Sequence, residues 1–484
     1  MSVREKYTAV IGLEVHAQLS LRRKMFAPEE ASYGALPNTQ VSTVTLAHPG
    51  TLPSVNKQAI AYAIKMGLAC HCTILRTSIF ARKNYFYPDL PKGYQITQDK
   101  TPICRGGYLT IDTPKGHEKH IALERIHLEE DTGKSVHGLV HEQTLLDFNR
   151  AGAALIEVVT KPALRTSSEA YSLLREVRKL VRYLDICDGN MEEGSLRCDA
   201  NVSVMLNGSS VFGQRVEVKN MNSTRHVQLA IEHEINRQIM LLEGGATVVA
   251  ETRSYDAATN ATRAMRKKEI LQDYRYFPEP DLPPLVVSEE WIEALRKTVP
   301  LLPRACYKKF IDVYQLPAYD AALLTEDKDI ALYFDTLCQL TTHYKSASNW
   351  VMGPVKSYLN ELTLSIKEFP LQPMHLAELI VLVEKDQLSF SVASQKLYPA
   401  LLAQPDKSPL ELAQALDLLQ ESDTEKMKAL VDEVVADYPD QVAAYRNGKT
   451  GILGMLMGEV MKRSQGKVVP RVANALLRQR LEDI

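Results

Sequence analysis

The chain has 484 residues, 45% hydrophobic and 24% charged, with 57 Lys and Arg against 59 Asp and Glu for a formal net charge of −2. This is an ordinary globular composition, long enough for two to four domains. The near-neutral balance excludes a wholly basic nucleic-acid coat and leaves room for a local basic patch. No apolar run approaches the ~20 residues a membrane span needs, and the seven cysteines are odd in number with no disulfide spacing. The N-terminal residues read as a strand, not as a signal or transit segment. The expectation is a cytoplasmic, reduced protein with no membrane partner.

The first element is a strand over Tyr7–Ser20. Ile11, Leu13, Val15, Ala17 and Leu19 are apolar, and Glu14, His16 and Gln18 between them are polar. Alternate strand residues face opposite sides, so a core lies on one face and a carboxylate and an imidazole stand on the other. Met25–Asn56 has no helical period and reads as loops and short strands. Lys57–Ala69 is a helix, with apolar residues at 60, 61, 64 and 68. Cys70-His71-Cys72 has no second ligand pair and does not make a structural zinc site.

Arg82–Ile96 crowds aromatic rings, two prolines and the Arg82–Lys83 pair together, and the prolines argue against a regular element. It reads either as a rigid surface loop or as a wall that stacks on a base while Arg82 and Lys83 meet phosphate. A strand over Ile121–Glu130 places Arg125, His127 and Glu129 opposite Ile126 and Leu128. It ends on the acids Glu129, Glu130 and Asp131. Leu145–Val159 alternates again, with a Gly turn before the apolar run Leu155–Val159. Ser167–Leu184 has the 3.6 period of a helix, capped by Ser167 or Ser168. Strands Arg197–Val204 and Arg215–Lys219 follow. They set Arg197, Asp199 and Asn201, and then Glu217 and Lys219, on polar faces. A helix over Thr224–Glu243 stops at Gly244-Gly245.

Pro278, Pro280, Pro283 and Pro284 mark a boundary, after which helical periods take over. The expected class is α+β: an antiparallel-sheet cradle domain over 1–290, an all-α helical domain over 291–408 and a small helical tail domain over 409–484. The tail ends in Lys462, Arg463, Lys467, Arg471, Arg478 and Arg480. These form either a solvated helix face or a phosphate-tracking surface for RNA. Gly448-Lys449-Thr450 is not a phosphate loop, because Ala443 stands where the pattern needs Gly and a helix is predicted where it needs a strand.

A solvated strand face usually carries Lys, Thr and Ser. These faces carry acids, imidazoles and an amide, which are ligands for a hard cation. The expectation is that they converge on one Mg²⁺–nucleotide site. Glu14, His16, Glu129, Asp199 and Glu217 would hold the ion directly or through water. Arg197 and Lys219 would meet phosphate oxygens, and Arg82, Lys83 and Asn201 would contact the nucleotide.

Ile11–His16, Arg82–Tyr94, His127–Lys134, Met191–Asn201, Glu217–Ser223, residues 273–280 and the tail together closely resemble the B subunit family of glutamyl-tRNA(Gln)/aspartyl-tRNA(Asn) amidotransferases. The likeness runs essentially end to end. It implies a glutamine synthetase-like cradle that uses ATP and Mg²⁺ to phosphorylate the side-chain carboxylate of Glu on tRNA(Gln) or Asp on tRNA(Asn). Ammonia then attacks the acyl phosphate to give the amide. The same acids, with His16, fall in the family's metal-binding motifs, and the tail docks tRNA. The chain shows no Ser-Ser-Lys amidase signature, so the ammonia is expected from an amidase A subunit, with a small C subunit completing a heterotrimer. Some family members carry Cys-x-x-Cys where this chain reads Asn38–Val44, so a zinc role is not carried over. Two other readings stand beside this one: a non-catalytic tRNA-binding scaffold, and a tRNA-independent glutamine synthetase-like amide ligase.

Overall fold

Alternation along Tyr7–Gln18 is realised in burial: Leu13, Val15 and Ala17 are at most 1% exposed, while Glu14, His16 and Gln18 are half-buried. This strand is the middle of a ten-stranded sheet in a computed structural model that describes residues 3–267, 274–420, 424–464 and 468–483. On one side of it the order runs through Leu196–Leu206, Val216–Lys219, Glu251–Asp256 and Ala261–Lys267. On the other it runs through Ala154–Thr160, Glu118–Glu130, Cys104–Arg105 and Thr73–Ile74, and Tyr108–Asp112 also pairs with Glu118–Glu130. The pairing is antiparallel with one departure from expectation: Val216–Lys219 and Glu251–Asp256 run parallel. The helix Thr224–Glu243 lies between those two strands in the chain and supplies the crossover that a parallel pair requires.

Three helices cover the apolar face. Lys57–Ala69, Ser167–Tyr183 and Thr224–Glu243 contribute Ile60, Ile64, Leu173, Val177, Val227 and Ile231 to a core shared with Ile11, Leu13, Val202 and Val218. The cap of Ser167–Tyr183 is Thr166, one residue before the expected serines; its hydroxyl accepts from the Glu169 N–H at 3.1 Å.

The strand Glu118–Glu130 contains a β-bulge. Its core residues are Ile121 and Leu123 upstream but Ile126 and Leu128 downstream. The register steps accordingly, from Thr160 opposite Leu123 to Val159 opposite Arg125, leaving Glu124 as the extra residue. That insertion reverses the parity of every later side chain and turns Arg125, His127 and Glu129 onto the polar face.

Two segments fold differently from the sequence reading. Among the described residues, Met25–Asn56 contains turns and bends but no strand. The Arg82–Ile96 stretch, expected to be irregular, forms a three-stranded sheet: Ala81–Asn84 pairs with both Tyr94–Thr97 and Arg275–Pro278. Pro88 and Pro91 sit in the connection, where no ladder donor is needed.

The chain divides into two compact units, Met1–Pro303 and Arg304–Ile484. The second is helical. Within it Thr424–Asp437, Ile452–Arg463 and Pro470–Asp483 share a small core of Val431, Val434, Leu456, Val460 and Leu477.

Candidate active site on the polar face of the sheet

Strand register, not sequence proximity, assembles the polar face. Glu14 lies opposite Asp199 and His16 opposite Arg197. On its other side His16 faces Glu157, which in turn faces His127. Asn201 lies opposite Glu217. The predicted residues of this sheet therefore share one surface, in separate clusters.

The first cluster is His16, His127, Glu129 and Glu157. His16 Nε2 stands 3.4 Å from both the Glu129 and Glu157 carboxylates, and His127 Nε2 stands 3.1 Å from Glu157 and 3.7 Å from Glu129. Burial alone would push the His16 imidazole down. The Glu157 and Glu129 carboxylates outweigh it and lift it to about 10. The same carboxylates raise His127. Burial would in turn raise Glu129, but the two imidazoles hold it well below the carboxylate range. Each imidazole thus stands against two buried acids that favour its charged form.

The second cluster is Glu14, Asp199, Asn201, Glu217 and Lys219. The Asn201 amide donates to Glu14 at 2.9 Å, and the Thr252 hydroxyl donates to Glu217 at 3.1 Å. The Lys219 ammonium sits between acids, donating to Asp199 and lying 3.0 Å from Glu217. Burial opposes its charge, but Asp199 and Glu217 more than compensate, so it stays protonated. Burial and the nearby charges of Glu157 and Glu217 push the Glu14 carboxyl up, against the Asn201 hydrogen bond. In a third group Arg197 donates to Asp131 at 2.6 Å, and Arg150 lies 3.4 Å from the same carboxylate.

The five predicted metal ligands therefore do not surround one point. Among the described residues, His16, Glu129 and Glu157 are the three whose donor atoms all lie within 4.8 Å of one another; around Glu14, Asp199 and Glu217 the space is taken by Lys219. Two carboxylates and an imidazole suit a divalent cation. One observation fits one here: the two buried acids already draw positive charge, with both imidazoles turned onto them through Nε2. Sequence reasoning missed Glu157. Its signal was a lone acid inside the apolar run Leu155–Val159.

Arg82 and Lys83 part company, as neighbours on a strand must. Arg82 is forked onto Glu279 through two 2.7 Å hydrogen bonds, and its guanidinium lies 4.3 Å from the Tyr94 ring centroid. Lys83 instead lies 4.7 Å from the Tyr274 ring centroid, and the Glu129 charge helps raise it against the cost of burial. In the tail, Arg463 pairs with Asp437 at 2.8 Å and Glu433 at 3.2 Å, and Arg480 pairs with Asp432 at 2.6 Å. Arg478 donates to Asn474 at 2.9 Å. Lys462 and Arg471 are exposed; Lys467 lies outside the described residues.

One face of the central sheet thus carries an acid–imidazole cluster that suits a cation beside acids already paired with Lys219, Arg197 and Arg150. The chain belongs to the GatB/GatE family: the GatB/GatE catalytic domain matches residues 9–293 and the GatB domain matches residues 332–481. Among its curated relatives is the B subunit of the aspartyl/glutamyl-tRNA(Asn/Gln) amidotransferase of Geotalea daltonii, 47% identical over 480 residues, covering 99% of this chain and 100% of that protein. The proteins of the same name from Salinibacter ruber and Halorhodospira halophila are 45% and 47% identical, each over 99% of this chain and over 97% and 99% of their own lengths.

Proposed function

We propose that this chain is the subunit of a tRNA-dependent amidotransferase that activates the side-chain carboxylate of Glu on tRNA(Gln), or Asp on tRNA(Asn), with ATP and converts it to the amide. The observation that carries this reading is the His16–Glu129–Glu157 donor set, placed beside the Lys219 and Arg197 cations on the face of a GatB/GatE-family sheet.

A carboxylate is a poor electrophile. In the activating step a carboxylate oxygen bonds to the γ-phosphorus, the bond from that phosphorus to the β–γ bridging oxygen breaks, and ADP leaves. In the second step the ammonia nitrogen bonds to the carbonyl carbon, inorganic phosphate leaves with the broken C–O bond, and a proton is lost from nitrogen. Each step develops charge on phosphate oxygens, so fixed cations aimed at them are the main catalytic resource. Lys219 and Arg197 would supply that charge from this chain, and Asn201 and Lys83 would orient the nucleotide. Mg²⁺ held by His16, Glu129 and Glu157 would neutralise phosphate oxygens when bound. Binding it requires an unprotonated His16 Nε2, so the imidazolium proton must leave. Glu14, Asp199 and Glu217 hold Lys219 in place and form a second acidic set beside the first.

The same reading makes the sheet a glutamine synthetase-like cradle and the tail a tRNA-docking module, in which Lys462, Arg471 and Arg478 would meet phosphate. It also implies a cytoplasmic heterotrimer with an amidase A subunit and a small C subunit. Incubating the assembled complex with ATP, glutamine and misacylated Glu-tRNA(Gln) or Asp-tRNA(Asn) should yield the amidated tRNA. Glu129→Gln should abolish that product while the partner's glutaminase survives. No amidated tRNA from the wild-type complex, or full amidation by Glu129→Gln, would refute the reading. The scaffold alternative predicts the second result, and turnover of free glutamate with ammonia would favour the tRNA-independent ligase.

A further inference from the structure

We propose that Arg125 is an additional anion-binding residue of this face, gripping oxygens of the transferred phosphoryl group through its Nε–H and a terminal N–H. The inference rests on the phosphoryl-transfer reading above and names a residue which that reading did not use.

Three observations converge. First, the β-bulge at Glu124 is what turns Arg125 onto the polar face, two residues from His127 and in line with Glu129. Same-face neighbours on a strand stand roughly 7 Å apart, within reach of a guanidinium at the end of its stem. Second, other cations on this face share their charge with fixed acids: Arg197 and Arg150 with Asp131, and Lys219 with Asp199 and Glu217. Among the described residues no hydrogen-bond acceptor or carboxylate partners Arg125, and its Nε is fully buried with its hydrogen unused.

Third, its surroundings are set up to receive an anion. Arg105 stands opposite Arg125 on the neighbouring strand Cys104–Arg105 and donates 2.9 Å to the Lys100 carbonyl, so the residue paired with Arg125 there is a second cation rather than an acid. Leaving a buried N–H without an acceptor is costly. The broken register sets a guanidinium with an unused, buried N–H on the same face as His127 and Glu129, where a phosphate group reaching it would satisfy that donor. The Nε and one terminal nitrogen form a planar fork that matches two phosphate oxygens, which lysine cannot reproduce.

The test uses the assembled complex and two readouts: equilibrium binding of ATP with Mg²⁺ by calorimetry, without glutamine or tRNA, and formation of ADP in the full reaction. Arg125→Gln should weaken ATP binding about 10- to 100-fold, the worth of charge-assisted hydrogen bonds, and should slow ADP formation at least as much. Arg125→Lys should recover only part of the binding, and it decides the matter if the Gln variant does not assemble. Millimolar guanidinium should restore ADP formation to Arg125→Ala but not to Glu129→Gln, a rescue that a purely structural arginine would not show. ATP binding and ADP formation by Arg125→Gln and Arg125→Lys equal to wild type would overturn the proposal and leave the phosphoryl-transfer reading standing. A wild-type complex that neither binds ATP nor forms ADP would overturn both.

Discussion

Replacing Glu157 by Gln keeps the size of the side chain and removes one of the two charges on which His16 and His127 depend. Its carboxylate lies 3.4 Å from His16 Nε2 and 3.1 Å from His127 Nε2. At an effective dielectric near 20, unit charges 3.4 Å apart interact by about 5 kcal/mol before desolvation is subtracted. A cation in the same cluster would lose one of two anionic donors. Even outer partners of a metal site cost 10- to 100-fold in affinity when removed, so a direct donor should cost at least about 100-fold, or about 2.7 kcal/mol. The assay is ADP formation by the assembled complex with the Mg²⁺ concentration varied at fixed ATP. The half-saturating Mg²⁺ should rise about 100-fold or more in Glu157→Gln, with part of the maximal rate recovered at high Mg²⁺. The partner's glutaminase rate should not change. An unaltered Mg²⁺ dependence would show that Glu157 belongs to the histidine network alone, and the metal assignment of this cluster would fall.

Asp131→Asn should lower the melting temperature by removing the carboxylate shared by Arg197 and Arg150; because Arg197 is 35% exposed, the cost should be about 1–3 kcal/mol, below that of a fully buried broken pair. Gly67→Ala places a Cβ 2.4 Å from Cys104 Sγ and 2.8 Å from Ile74 Cδ1, which should destabilise by about 1–3 kcal/mol; adding Cys104→Ala should give a double-mutant cycle with a favourable coupling, and strict additivity would contradict the clash. In the tail, Lys462→Ala and Arg471→Ala should each weaken tRNA binding and reduce the logarithmic salt slope by roughly one without moving the melting temperature, whereas Arg463→Ala, which loses Glu433 and Asp437, should lower it. Burial acts to raise the Glu29 carboxyl, but hydrogen bonds from Thr45 and Ser42 hold it below its usual range. The stability it contributes is therefore present above about pH 4.3 and is lost as the pH falls through the folded value. Thr45→Val should flatten the acid side of a melting-temperature profile, and an unchanged profile would argue that Glu29 contributes nothing.

Local pattern and long-range pairing separate what the sequence discloses from what it hides. Alternation in Tyr7–Gln18, Leu196–Leu206 and Val216–Lys219 needs only neighbours along the chain, so Glu14, His16, Asp199 and Glu217 could be placed on polar faces before any fold was known. Which face meets which is set by register, and register pairs residues as far apart as Glu14 and Asp199. That is why a single cluster was expected and separate ones appear. Arg82 shows the same limit: nothing near it in the chain announces Glu279, which takes up its guanidinium. Glu157 was hidden for a different reason, because one acid among Leu155, Ile156, Val158 and Val159 reads as an interruption of a buried strand. The bulge lies between these cases. Apolar residues at 121 and 123 and then at 126 and 128 cannot all face one core unless an extra residue intervenes, so the parity change is present in the sequence itself. A parity change inside a strand that carries Arg, His and Glu on its shifted side is therefore the local signal that should be weighted most heavily. The bulge disrupts the ladder at that point, and what the structure gains in return is the orientation of the three side chains that follow.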